Sequence, residues 1–241
     1  MRVSEQMRFQ DLVPGYQDLL ARQIQVQKQI SSGKRIQQPS DDVDGTALAQ
    51  SQHSDLNDLN QSLRNIDQGQ SWTDTTFGVI EEGVTAFQRV HELAIRAGDG
   101  TLSAIDRTNM SQEVEQLLSE LVSLGGKTLN GHTLISGAQT GQPAFTATKD
   151  ALGYIISVTY NGDGTQRDVE VAPGRTLSYN MLGSNENGGD YGIFRDTAAG
   201  VDLFDTLINF RQFLQANDAV NINSTSLPAI NAALDHLNLG S

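Results

Sequence analysis

Apolar residues recur at alternating steps of three and four over much of the first half of the chain. Phe9, Leu12, Tyr16, Leu19, Gln23, Val26 and Ile30 form one such seam, with a single polar member. Leu56, Leu59, Leu63, Ile66, Gln70, Thr73, Phe77, Ile80, Val84, Phe87, His91 and Ala94 form a longer one without a slip. This is the period of helices that pack in coiled-coil fashion. It predicts helices over residues 1–32 and about 46–97. The second would be roughly 78 Å long at ~1.5 Å per residue, against about 30 Å for a compact domain. A third helix is predicted from Ser103, carrying Met110, Val114, Leu117, Leu121 and Leu124 up to Gly125-Gly126. Only the break at Gly98, Asp99 and Gly100 separates it from the second, so the two should lie antiparallel. The expected rod core is Leu56, Leu59, Leu63, Ile66, Phe77, Ile80, Val84, Phe87, Val114, Leu117 and Leu121, closed by a helix after residue 227.

The texture changes after Asn130-Gly131. Residues 154–160 are rich in β-formers, Asn161-Gly162-Asp163-Gly164 reads as a hairpin turn, and Val169 and Val171 continue a partner strand. Helical spacing returns at Val201, Phe204, Leu207 and Leu214, and again at Leu227, Ile230, Leu234 and Leu237. The fold class is therefore mainly α with a β insert: a long antiparallel coiled-coil-like helical rod plus a small β domain. The expected domains are a terminal helix (1–32), a linker (33–45), the first part of the rod (46–137), a separable β-rich insert (138–198) and the return of the rod (199–241). The chain stops as its last helical pattern gets under way, and the first seam finds no obvious partner within it. That reads as a C-terminal truncation with a partner helix missing.

Between the first two helices lies Ser31-Ser32-Gly33-Lys34-Arg35-Ile36-Gln37-Gln38-Pro39-Ser40-Asp41-Asp42. Gly33 suits a helix end, and Lys34 and Arg35 suit the negative pole of the helix dipole. Pro39 cannot continue a helix, Ser40 can cap the next one, and Asp41 and Asp42 suit its positive first turn. The chain thus stops, changes charge sign and restarts.

Composition narrows the function classes. The 241 residues carry a net charge of −13 and no cysteine. An acidic chain lacks the clustered Lys and Arg that nucleic acid or an anionic membrane surface requires. Disulfides and thiolate metal sites are excluded. The first ten residues lack the apolar core of a secretory signal, and no window approaches the ~18 apolar residues of a membrane span. Candidate chemistry is absent at the motif level. His91-Glu92 lacks the second histidine of a zinc-protease helix, and Ser136-Gly137 has no base placed by sequence. Residues 161–168 lack the closing carboxylate of a calcium loop. No catalytic, metal or cofactor residue is expected, and the protein is not expected to be an enzyme. Tyr154, Tyr160, Tyr179 and Tyr191 leave an adhesin or carbohydrate-binding role as a remote alternative.

Residues 31–49 resemble the N-terminal signature of the bacterial flagellin superfamily, an S-S-G-x-R-I motif followed by a double Asp. The resemblance extends through residues 63–101 and covers nearly the whole chain. Its matching positions are Ser32, Gly33, Arg35, Ile36, Asp41 and Asp42, then Arg64, Asn65, Gly69, Arg89, Glu92, Leu93, Ala94, Asn130 and Gly131. It departs at Val43-Asp44, where relatives often have Pro-Ala or Ala-Ala. Residues 131–146 and 201–218 further resemble the hook-associated branch, whose members join hook to filament, and filament flagellin is the alternative.

The resemblance implies an exported, extracellular flagellar subunit with no cleaved signal. Its implied partners are further copies in a ring, a neighbouring hook-associated protein, flagellin, and an export chaperone acting through the missing C-terminus. Ser32, Gly33, Lys34, Arg35, Ile36, Asp41 and Asp42 would form a spoke at subunit interfaces, with basic and acidic sides pairing between neighbours. Phe9, Leu12, Tyr16, Leu19, Val26 and Ile30 would form the terminal seam.

Overall fold

The computed structural model describes residues 3–189 and 191–240, with side chains from Leu12 onward. The chain divides into two compact units, residues 1–61 and 62–241. The first holds α1 (Val3–Ser32) and the start of α2 (Val43–Ala97). Gly33, at φ 66°, ends α1 in the left-handed region that glycine adopts without strain. α2 starts three residues before the expected position, at Val43.

In the second unit α2 is followed by α3 (Ala104–Gly125), capped by the Ser103 hydroxyl, which accepts from the Asp106 N–H. Arg89 Nε donates to Glu113 at 2.7 Å, Lys127 Nζ to Glu82 at 2.6 Å, and Arg107 Nε to the Ala97 carbonyl at 3.0 Å. Residue numbers fall along α2 as they rise along α3, so the two helices are antiparallel, as their short connection requires. α4 (Leu203–Gln215) lies against α3, and α6 (Leu227–Leu239) follows a three-residue helical turn, α5 (Ala219–Asn221), and a π-turn at Ile222–Ser226.

The buried face of α2 is turned by one position from the seam read off the sequence. Ser62, Gly69, Thr76, Gly83, Val90 and Ala97 recur every seven residues at its centre, flanked by Trp72, Val79, Ala86 and Leu93 on one side and Ile80, Phe87 and Ala94 on the other. Of the expected core, Ile80, Phe87, Val114 and Leu121 are buried, and Val84 and Leu117 are half-buried. Leu56, Leu59, Leu63, Ile66 and Phe77 are exposed, Leu63 at 58%. The reason is steric. Small residues let neighbouring elements approach closely: a Cβ on Gly83 would stand 3.5 Å from Phe194 and 4.0 Å from Leu237 of α6.

The strands pair differently from the expected hairpin. β4 (Ile155–Tyr160) pairs with the preceding β3 (Phe145–Lys149), and β5 (Asp168–Ala172) pairs with β6 (Arg175–Ser178) across Pro173-Gly174. β1 (Thr128–Leu129) and β2 (His132–Thr133) form a hairpin on Asn130-Gly131, at φ 53° and 81°, the positive values a type I′ turn demands. β7 (Leu182–Ser184) runs parallel to β8 (Gly192–Asp196), and β9 (Val201–Asp202) pairs antiparallel with β8.

Residues 161–164 are not a hairpin turn. The Asp163 carboxylate accepts from the Ala138 and Thr165 N–H groups at 2.9 and 3.1 Å, fastening this segment to the loop after β2. Gly162 is pressed against the Tyr160 hydroxyl, where a Cβ would lie at 2.3–2.4 Å from the phenol.

Strands and helices of the second unit share one core. Phe145 of β3 lies 4.7 Å from Phe204 of α4 and 5.8 Å from Phe194 of β8, centroid to centroid. The insert expected as a separate domain at 138–198 therefore contributes to the same interior as the helices around it. Arg211 of α4, almost wholly buried, pairs with Glu115 of α3 and donates to the Ile155 carbonyl at 2.9 Å, while Glu115 accepts from the Ile155 N–H at 2.9 Å. This buried ion pair ties α3, α4 and β4 together. The β5–β6 hairpin is seated on α2 by Asn65 Nδ2, which donates to the Glu170 carbonyl at 2.8 Å, and by Trp72, whose ring meets Tyr179 edge-on with Arg167 stacked 4.6 Å above it.

Candidate assembly surface and connector

The connector between α1 and α2 is built almost wholly from side chains bonding to nearby backbone. Asp42 Oδ1 accepts from the Gly45 N–H at 2.8 Å, which makes Asp42 the N-cap of α2 in place of the expected Ser40. Its other oxygen accepts from Arg35 Nη2 at 2.7 Å. The Gly45 hydrogen bond, and after it Arg35, hold the Asp42 carboxyl below its ordinary value. Asp41 Oδ2 accepts from the Gln37 and Gln38 N–H groups, both at 3.0 Å. Gln29 Nε2 reaches forward to the Arg35 carbonyl at 2.9 Å, and Gln37 Nε2 reaches back to the Ser32 hydroxyl at 2.6 Å.

Arg35 is paired with Asp42 within the chain. Gly45 was not singled out, yet it closes the connector: a Cβ there would stand 2.7 Å from Ile36 Cδ1 and 2.5 Å from Asp42 Oδ2. Its one sequence signal is a glycine in the first turn of a helix, where it would otherwise lower stability. Lys34 is exposed, and Ile36 is half-buried over Gly45.

The apolar seam of α1 is open to solvent. Leu12, Tyr16, Leu19, Val26 and Ile30 are exposed by 52–78%. Phe9, its first member, lies outside the described side chains. Beside the seam stand Leu20 and Ile24, exposed by 42% and 50%. An isolated helix gains little stability in water, so an open stripe of this kind is what a helix presents to a partner. In the early part of α2, Leu48, Leu56 and Leu59 are likewise exposed.

Several of the other positions that carry the resemblance hold the second unit together. Arg89 bridges Glu92 and Glu113, Gly69 sits beneath Tyr179, Leu93 and Ala94 are buried, and Asn130-Gly131 make the tight turn. The four tyrosines considered for ligand contact serve packing. The Tyr160 hydroxyl donates to the Ile135 carbonyl, Tyr179 meets Trp72, Tyr191 stacks on His236, and Tyr154 lies under Arg211. Among the described residues no group of three potential metal ligands comes together, and no helix is long and apolar enough to cross a membrane.

The fold is one already known from flagellar components. It is similar to a chain described as a flagellar hook-associated protein from Vibrio parahaemolyticus, with a TM-score of 0.70 and 18% identity over 83% of this chain and 85% of that one. It is similar also to FlgL from Xanthomonas campestris, with a TM-score of 0.62 and 18% identity over 77% and 90%. Residues 17–164 match the bacterial flagellin N-terminal helical region, and the chain belongs to that family. Flagellin FlaB1 of Treponema pallidum is 35% identical over 111 residues, 46% of this chain and 39% of that protein. The chain spans about two fifths of the length of the first curated relatives it matches.

Proposed function

We propose that the protein is a non-enzymatic structural subunit of the extracellular flagellum, set at the junction between hook and filament. The observation that carries this reading is the open apolar seam of α1, joined through a bonded connector to α2. A helix left uncovered in the single chain is the part that assembly covers. Family membership supports a flagellar role, and the stretches at 131–146 and 201–218 favour the hook-associated branch. In this reading residues 1–32 are the terminal helix, 33–45 the spoke, and 46–241 the outer helical part with its β elements at 138–198. Its partners are further copies of itself in a ring, the adjoining hook-associated protein and flagellin, with a chaperone during export. Nucleic acid and membrane are not partners.

A second reading, filament flagellin, is favoured by the flagellin relatives among the curated proteins. Immunogold labelling of intact flagella separates the two. Label confined to the hook–filament boundary, with filament growth lost on gene deletion, is expected. Label along the whole filament would establish the flagellin reading, and label elsewhere on the cell surface would exclude both.

A further inference from the structure

The dipeptide Asn-Gly occurs at 130–131, 161–162 and 187–188. An asparagine before glycine is prone to lose its side-chain amide, because no Cβ shields the glycine nitrogen from the asparagine Cγ. Local sequence ranks the three pairs alike, and the fold separates them. Asn161 is held twice, its Nδ2 donating to the Pro143 carbonyl at 3.1 Å and to the Thr146 hydroxyl at 2.6 Å. Gly162 beside it is walled in, with the Tyr160 hydroxyl 2.3 Å and the Ser136 carbonyl oxygen 2.8 Å from where a Cβ would stand. At the third pair both reacting groups are engaged. Asn187 Nδ2 donates to the Gly162 carbonyl at 3.2 Å, and the Gly188 N–H donates to the Asn185 carbonyl at 3.1 Å.

Asn130-Gly131 is the reverse case. Both residues are exposed at the tip of the β1–β2 hairpin, and a Cβ on Gly131 would meet nothing within 4 Å. Among the described residues neither the Asn130 side chain nor the Gly131 N–H has a hydrogen-bond partner. We propose that Asn130 is a site of spontaneous deamidation, the one Asn-Gly pair of the three that the native fold leaves reactive. Solvent base takes the Gly131 amide proton, and that nitrogen attacks Asn130 Cγ. The N–Cγ bond forms, the Cγ–Nδ2 bond breaks, and Nδ2 takes a proton from water and leaves as ammonia. Water then opens the five-membered imide, and nothing is oxidised or reduced. Attack at Cγ gives aspartate. Attack at the Asn130 backbone carbonyl carbon gives isoaspartate, with the main chain rerouted through the side chain. Either product adds a negative charge at the turn. Isoaspartate also adds a methylene to the backbone of a two-residue type I′ turn, whose geometry fixes the strand register.

Peptide mapping by mass spectrometry tests this, on the full chain incubated at 37 °C and pH 8, native and in urea. Trypsin separates the three pairs, which fall in residues 128–149, 150–167 and 176–195. In urea all three should gain the one-dalton increment of deamidation at similar rates. In the native protein Asn130 should keep a rate within a few-fold of its urea rate. Asn161 and Asn187 should be slower than Asn130 by about ten-fold or more, because their hydrogen bonds must open first. The native rate at Asn130 should rise from pH 6 to pH 9, as base removal of the Gly131 proton requires. Asn130→Gln, whose longer side chain cannot close the five-membered ring, should abolish the fast reaction and leave the other two rates unchanged. A native Asn130 no faster than Asn161 or Asn187 would overturn the proposal. So would a native Asn130 slowed about ten-fold or more from its urea rate, since the hairpin tip would then shield the amide as the other two sites do.

Discussion

Gly125, the last residue of α3, lies flat against the ring of Phe145, the first residue of β3, so closely that a Cβ would stand 2.5 Å from Phe145 Cδ2. The same ring touches Tyr160, Phe194 and Phe204, and the contact therefore locks a helix end to the aromatic centre of the second unit. Gly125→Ala must displace that ring. Overpacking of this kind costs ~1–3 kcal/mol, offset in part by alanine's helix preference of up to ~1 kcal/mol. Phe145→Ala should cost about 3–5 kcal/mol. Urea unfolding of both variants checks the pair, and a Gly125→Ala protein more stable than the original would show that the ring yields freely.

Deleting residues 138–198 should collapse helical structure. The deletion removes Phe145, Ile155 and Phe194 from the interior that also holds Phe204, Leu207 and Leu121. It leaves Arg211 buried beside Glu115 without the Ile155 backbone. Far-ultraviolet circular dichroism should show a loss of helix in addition to the loss of strand. A deletion protein that keeps the helical signal and a cooperative melt would show that the helices stand alone.

Breaking the Arg211–Glu115 pair should be costly, because Arg211 is almost wholly inaccessible to solvent. Glu115→Ala leaves a buried cation without its partner, for which about 3–5 kcal/mol is expected. The double variant Arg211→Met with Glu115→Leu should recover part of this and not all, since the Ile155 N–H and carbonyl still lose their partners. Chemical denaturation of both variants measures the difference. Equal losses in the single and double variants would mean that the charge itself contributes nothing.

Acid should weaken the second unit partly through Asp163. Burial pushes its carboxyl up, but the Ala138 and Thr165 hydrogen bonds outweigh that and hold it below 3.8. A lowered folded value means stability that is present above the unfolded-state value and is lost as pH falls through the folded one. Asp163→Ala should therefore lower the melting temperature at pH 7, and the gap from the unmodified protein should narrow below about pH 4. Thermal melts between pH 7 and pH 3 provide the check, and a gap that widens in acid would reverse the sign.

Elements were easier to read than partners. The three long helices, their breaks at Gly33, Gly98–Gly100 and Gly125-Gly126, and the antiparallel turn between α2 and α3 follow from period and glycine placement. The inner face of α2 does not, because Ser62, Gly69, Thr76 and Gly83 are buried for their smallness and carry no hydrophobic signal. The larger Leu56, Leu59, Leu63 and Ile66 drew the reading to a neighbouring stripe that is open to solvent. Residues 161–164 misled for a related reason. Their glycines permit close approach to Tyr160 and to the Asn187 and Gly188 carbonyls, where a turn was expected. In the connector, residue types announced a bend, but Asp42 as the cap and Gly45 as its floor depend on a fit in space that charge pattern cannot express.

The most direct measurement is thiol labelling of α1 before and after assembly. The chain has no cysteine, so Ile30→Cys introduces a single reporter on the open seam, at a position 78% exposed in the described chain. In the dilute protein a maleimide should label it fully and fast. On flagella isolated from cells carrying the same variant, labelling should fall at least ten-fold while a control cysteine at Leu152, exposed by 82% on the β3–β4 turn, still reacts. Equal labelling of Ile30→Cys in the free protein and in the flagellum would contradict an α1 seam that assembly covers.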